Sequence, residues 1–267
     1  MSRAGGAANR PPASRRAGTR GAQAGVAARP PLGAYLEESR DIGLSLLLVL
    51  PLLLAYEIAV LLLAPPARNA AELAVAELAG RLPADIAAWL RRGLLLLLLA
   101  LAFVLARRAQ PRVARARWVL LEALALALLV GPLLRWMVGG LGLSMRAGTV
   151  PAEQPAWLPF LLSTGAGLWE ELVFRLGLLG GLALLLARVA RLPEVGATAI
   201  AVALSALAFA LYHHLGAHGE PLQAARFVYR ALAGTILGVL FVTRGLAVVV
   251  YMHVFYDVLC DLRALDG

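Results

Sequence analysis

The sequence predicts an all-α fold, a polytopic bundle of about seven transmembrane helices. Three observations carry that expectation. Of the 267 residues, 61% are apolar, well above the roughly 45–50% of an ordinary soluble domain. Mean hydropathy is +0.78. The excess is gathered into runs near the length of about 20 residues that a helix needs to cross a bilayer. Aromatics make up only 7%, so the apolar content is chiefly Leu, Ala and Val, residues suited to helices packed in lipid.

Residues 1–36 are rich in Arg, Ala, Gly and Pro without hydrophobic periodicity, and read as a disordered cytoplasmic tail. A cleaved signal peptide is not expected, because the basic stretch is long and the apolar run behind it exceeds a signal core. N-terminal transmembrane helices are expected over 37–150 and a second transmembrane core over 151–267. The first span falls at about 43–64 and stops at Pro65 and Pro66. The second, at 86–105, is the weakest, because Arg91 and Arg92 leave an uninterrupted apolar run of only about 13 residues. The others fall at about 118–138, 158–187, 195–212, 227–242 and 246–262. An amphipathic stretch at 70–82 is expected to lie along the membrane surface.

The net charge of +9 comes from arginine alone, since the chain has no Lys. Arg3, Arg10, Arg15, Arg16, Arg20 and Arg29 precede the first span, and five more lie between Arg107 and Arg117. Positive charge flanking apolar spans marks the cytoplasmic side. Nucleic-acid binding is not expected, because no recognition motif accompanies the charge. With both clusters inside, Arg188, Arg191 and Arg244 also fall inside, whereas Arg146 and Arg226 fall outside and count against the scheme. The expected location is a bacterial plasma membrane, with the N-terminus cytoplasmic. Cys260 is the single cysteine, which excludes an internal disulfide and reads as a small packing residue.

An ionisable residue at mid-bilayer costs roughly 2.5–3.5 kcal/mol on insertion scales, so each one needs a reason. Glu57, Glu122, Arg135 and the Arg91/Arg92 pair are scattered, but the last four spans show a pattern. Glu170, Glu171 and Arg175 stand in the fourth span. On an α-helix Glu171 and Arg175 share a face, and Glu170 is turned about 100° away. One carboxylate is then neutralised by Arg175 and the other left for another task. Phe209 and His213 share a face at the end of the fifth span, so the ring can wall the imidazole. His214 and His218 read as loop or rim residues. In the last span His253 and Asp257 share a face, where the acid could orient the imidazole or present a hydrogen-bonding group of its own. A free Glu, a His and a second His with an Asp are what water activation requires.

Three motifs, Glu-Glu-x-x-x-Arg at 170–175, Phe-x-x-x-His at 209–213 and His-x-x-x-Asp at 253–257, resemble the signature of the CPBP family. These are the CAAX-processing and bacteriocin-processing (ABI) intramembrane endopeptidases. Gly234-x-x-x-Gly238 resembles the small-residue stretch before the family's last motif. The resemblance covers about 155–262 and implies a membrane-anchored protein or peptide as substrate. It implies Glu170 and His213 as the groups that activate water, with His253 and Asp257 completing the site and Glu171, Arg175 and Phe209 supporting it. The family often has Asn where this chain has Asp257. No His-Glu-x-x-His metalloprotease helix is present. The expectation is a cofactor-free glutamate mechanism. The alternative is zinc or another divalent metal on Glu170, His213, His253 and Asp257. C-terminal anchor-signal processing is one expected task. The rival readings are a proton-coupled transporter, against which no second polar repeat is visible, and a non-catalytic immunity or scaffold protein of the same fold.

Overall fold

A computed structural model describes residues 32–65, 113–143, 157–215 and 219–265, together with Pro155 and scattered positions between 69 and 104. Among the described residues the regular secondary structure is entirely helical. The helices are α1 (Leu32–Ser39), α2 (Ile42–Leu63), α3 (Val113–Gly140), α4 (Trp157–Glu170), a π-helical segment (Glu171–Leu179), α5 (Gly180–Arg188), α6 (Glu194–Tyr212), α7 (Ala224–Arg244) and α8 (Leu246–Leu265). Four stretches are long and apolar enough to cross a membrane by themselves: Ile42–Leu63, Ala116–Gly140, Glu194–Tyr212 and Ala224–Arg244. The chain is a helical membrane bundle.

The centre of the bundle is α8. Leu246 to Val250 and Met252 are at most 1% exposed, so the first turns of α8 are covered on all sides, by α2, α3 and parts of α4 and α7. A helix that is apolar all round belongs in such an interior position. The outer helices instead turn large apolar residues outward, including Leu61 and Leu62 of α2, Trp136 of α3 and Leu184 of α5. In lipid that outer coat carries no penalty, and close packing rather than hydrophobic exclusion holds the helices together.

Small residues set the closest approaches. A Cβ on Gly234 of α7 would lie 3.0 Å from the Ala206 Cα of α6. One on Gly167 of α4 would lie 2.7 Å from the Val254 backbone nitrogen of α8. Between α7 and α8 the chain reverses at Gly245, whose φ of +85° is a conformation that L side chains rarely adopt. The Ser39 carbonyl also stands against its open side. Gly245→Val is therefore expected to destabilise by at least about 1–3 kcal/mol, read as a lowered unfolding midpoint in detergent.

Several polar residues that look scattered in the sequence form cross-links. Arg244, at the end of α7, grips Glu122 of α3 with Nε and Nη2 at 2.5 and 2.6 Å. Tyr35 of α1 donates to the same carboxylate at 2.5 Å. That contact ties down α1, which begins at Leu32 inside the stretch expected to be a disordered tail. The tail before it, the arginine cluster at 107–112, His218 and most of the expected span at 86–105 lie outside the described residues. The amphipathic stretch at 70–82 is also mostly outside them. Of its described residues, Ala71 and Glu72 are only 2% and 6% exposed and pack against the bundle, while Gly80 is exposed. Glu72 is held there by a buried hydrogen bond of 2.6 Å from the Tyr56 hydroxyl of α2, a tertiary contact that amphipathicity cannot show.

Candidate active site

Two acids, two imidazoles and a third acid converge where α4 passes α8 and α6 ends. Glycine at 167 lets α4 approach the backbone of α8 one turn before Glu170 and next to His253. Glu170 and Glu171 sit at the junction where the α-helix widens into the π segment. The expectation of a continuous α-helix through 158–187 is corrected here. The hydrogen-bond ladder shifts to a longer register, with the Gly180 N–H reaching back to the Arg175 carbonyl. The buried Ser205 hydroxyl of α6 donates to the Phe174 carbonyl at 2.6 Å. It thereby satisfies a backbone acceptor within the segment.

The two acids engage opposite nitrogens of one imidazole. Glu171 Oε1 is 2.7 Å from His253 Nδ1, and Glu170 Oε2 is 3.8 Å from His253 Nε2. Glu171 pairs with Arg175 while Glu170 is turned toward the Nε2 atoms of His213 and His253. The acid that orients His253 is Glu171, whereas Asp257 Oδ2 lies 3.5 Å from Nε2, on the ring's other side. A carboxylate accepts, so Nδ1 of His253 carries a proton.

His213 caps α6 with a second fixed tautomer. Its Nδ1 lies 2.8 Å from the Phe209 carbonyl, which can only accept, so Nδ1 donates and Nε2 is the nitrogen turned toward Glu170 Oε1, 3.9 Å away. The Phe209 ring meets the His213 ring edge to face at a centroid distance of 4.8 Å.

Beneath the site, Arg175 is fully buried. Its Nε is 3.2 Å from Glu171 Oε2, yet the N–H is not aimed at that oxygen, so the contact is an ion pair and not a directed hydrogen bond. Nη1 and Nη2 have no hydrogen-bond partner among the described residues. The guanidinium instead lies over the Phe209 ring at 4.4 Å. Glu170, Glu171, Arg175, Phe209, His213, His253 and Asp257 are thus all brought together.

His214 turns away, its Nδ1 against the Glu220 carbonyl at 3.0 Å. Burial raises the pKa of the Glu220 carboxyl, but its bonds to Arg230 and then Arg226 outweigh that and leave it below the usual carboxylate value. This cluster fastens Glu220 to α7 and to the end of α6.

Sequence reasoning missed Asn69, whose Nδ2 donates to Glu170 Oε1 at 3.2 Å across 101 residues of sequence. No periodicity or motif around Asn69 signals this. It also missed Ser163 on α4, which donates to Asp261 at 2.5 Å, one turn beyond Asp257, and the hydroxyl pair of Tyr229 and Tyr256.

Carboxylates and imidazoles are donors that zinc accepts. Among the described residues, however, no three His, Cys, Asp or Glu side chains stand in an arrangement that could hold a metal ion.

Neither a curated protein nor a solved structure matches the chain. A family model does, over residues 152–259, a stretch that contains every motif residue above and excludes Asn69. Its description is type II CAAX prenyl endopeptidase Rce1-like, so this stretch is similar to the CAAX-processing proteases that the three motifs resemble.

Proposed function

We propose that the chain is an intramembrane endopeptidase that hydrolyses a peptide bond of a membrane-anchored substrate by a metal-independent Glu/His mechanism. The observation that carries this is the placement of Glu170. Its two oxygens lie 3.9 Å from His213 Nε2 and 3.8 Å from His253 Nε2. Those distances are too long for direct hydrogen bonds and suit polar groups bridged through one water molecule.

The chemistry follows from the tautomers. Neutral His213 offers the Nε2 lone pair to one water hydrogen, and Glu170 takes the other as a proton while the water oxygen attacks the substrate carbonyl carbon. The carbonyl oxygen becomes an oxyanion. His253, with Nδ1–H held by Glu171, donates to it through Nε2–H in its imidazolium form. When the tetrahedral intermediate collapses, the C–N bond breaks. Glu170 returns its proton to the leaving nitrogen, giving an acid and an amine.

Substrate reaches the site between His213 and Asp257, whose side chains are 20% and 27% exposed against 6% for Glu170. With the N-terminus cytoplasmic in a bacterial plasma membrane, that opening faces outward and suits trimming of a C-terminal anchor signal.

The test is purified protein in proteoliposomes, given a prenylated CAAX peptide and peptides carrying a C-terminal anchor helix. Cleavage is expected to fall at least about 1,000-fold in both Glu170→Ala and His213→Ala, and to be indifferent to chelator in the wild type. Wild-type rates in both variants would sink the assignment. Loss of activity with chelator and recovery with zinc would replace it by a metal mechanism.

A further inference from the structure

We infer that Asn69 is a positioning residue of this site, supplied by the N-terminal region and lying outside the stretch that matches the family model. The inference rests on the proposed role of Glu170. The amide's orientation is fixed by its partners. Asn69 Oδ1 accepts from the Ala71 backbone N–H at 2.8 Å, which leaves Nδ2 to face the Glu170 carboxylate. The oxygen it holds is Oε1, the one turned toward His213 Nε2.

A glutamate's terminal torsion is broad and two-fold, so a carboxylate with no fixed donor spreads its lone pairs over many directions. Among the described residues, the Asn69 amide is the donor within hydrogen-bond reach of Glu170, both imidazoles standing farther off. Its bond fixes the plane in which Glu170 meets water.

The segment carrying Asn69 is itself docked. Tyr56 of α2 bonds Glu72 in the interior. The same hydroxyl fills the space over Gly165 of α4, where an added Cβ would lie 2.6 Å from it. A chain of contacts thus runs from α2 through Glu72 and Asn69 to Glu170. The first span is therefore part of the active-site frame and not only an anchor.

The test uses the full chain in proteoliposomes with whichever peptide the wild type cleaves best. Asn69→Leu, nearly isosteric but without a donor, is expected to lower kcat about 10- to 100-fold. KM should stay within about twofold and the unfolding midpoint should be unchanged. Asn69→Gln, which keeps the amide on a longer arm, is expected to recover part of the loss. Tyr56→Phe controls for docking and should lower the midpoint. If Asn69→Leu keeps a wild-type kcat while Glu170→Ala is inactive, the inference falls and the proposed function stands. A kcat loss matched by the midpoint drop of Tyr56→Phe, and not relieved by glutamine, reduces Asn69 to a docking residue and also overturns it. Wild-type cleavage by Glu170→Ala, or no cleavage of any peptide by the wild type, sinks both.

Discussion

Glu171→Ala is expected to destabilise the protein by about 3–5 kcal/mol, because it strands a buried cation. Arg175 is fully buried, its other nitrogens lack hydrogen bonds among the described residues, and Glu171 is the acid in ion-pair contact with it. The same substitution removes the acceptor from His253 Nδ1. A loss of that size is a large fraction of the roughly 5–15 kcal/mol that holds a typical domain folded. The measurement is the unfolding midpoint in detergent, wild type against Glu171→Ala, Arg175→Leu and the double variant. Removing both charges leaves no unpaired ion, so the double variant should be markedly more stable than Glu171→Ala alone. A Glu171→Ala protein as stable as the wild type would show that the pair does not neutralise Arg175.

Gly167→Val is expected to lower kcat/KM by about 100-fold or more, with a destabilisation of about 1–3 kcal/mol. Its first added carbon would stand 2.7 Å from the Val254 backbone nitrogen, a contact that neither rigid helix can yield to by a rotamer change. The helices must separate, and the separation falls where Glu171 meets His253 at 2.7 Å and Glu170 meets it at 3.8 Å. Misplacing reacting groups by about 1 Å is enough for a hundredfold loss. Gly167→Ala should show the same effect in smaller measure. Wild-type kinetics and midpoint in the valine variant would mean that helix contact does not set the spacing of the site.

The helices were legible because a bilayer admits few alternatives to a long apolar helix. The run expected at 195–212 folds as Glu194–Tyr212, and that at 246–262 as Leu246–Leu265. The acids and imidazoles stood out for the same reason, since lipid gives them no solubility role. The long-range partnerships were not legible. Glu122 looked stray until the fold set it against Arg244 and Tyr35, and Asn69 meets Glu170 across most of the N-terminal half. The π segment left no local trace either, and one of its carbonyls accepts from Ser205 on another helix. Periodicity reports which way a residue faces on its own helix, whereas these features depend on what another helix brings to it.

The widened turn from Glu171 to Leu179 carries a consequence for the directions this helix faces. It works as a phase shift, so residues after it take a bearing that differs from the one an unbroken α-helix would give them. Upstream, Leu158, Leu168 and Glu170 are buried in the bundle; downstream, Leu184 and Leu185 face outward at 60% and 52% exposure. One helix thereby serves two bearings, a catalytic one toward α8 and an outward one on the bundle surface.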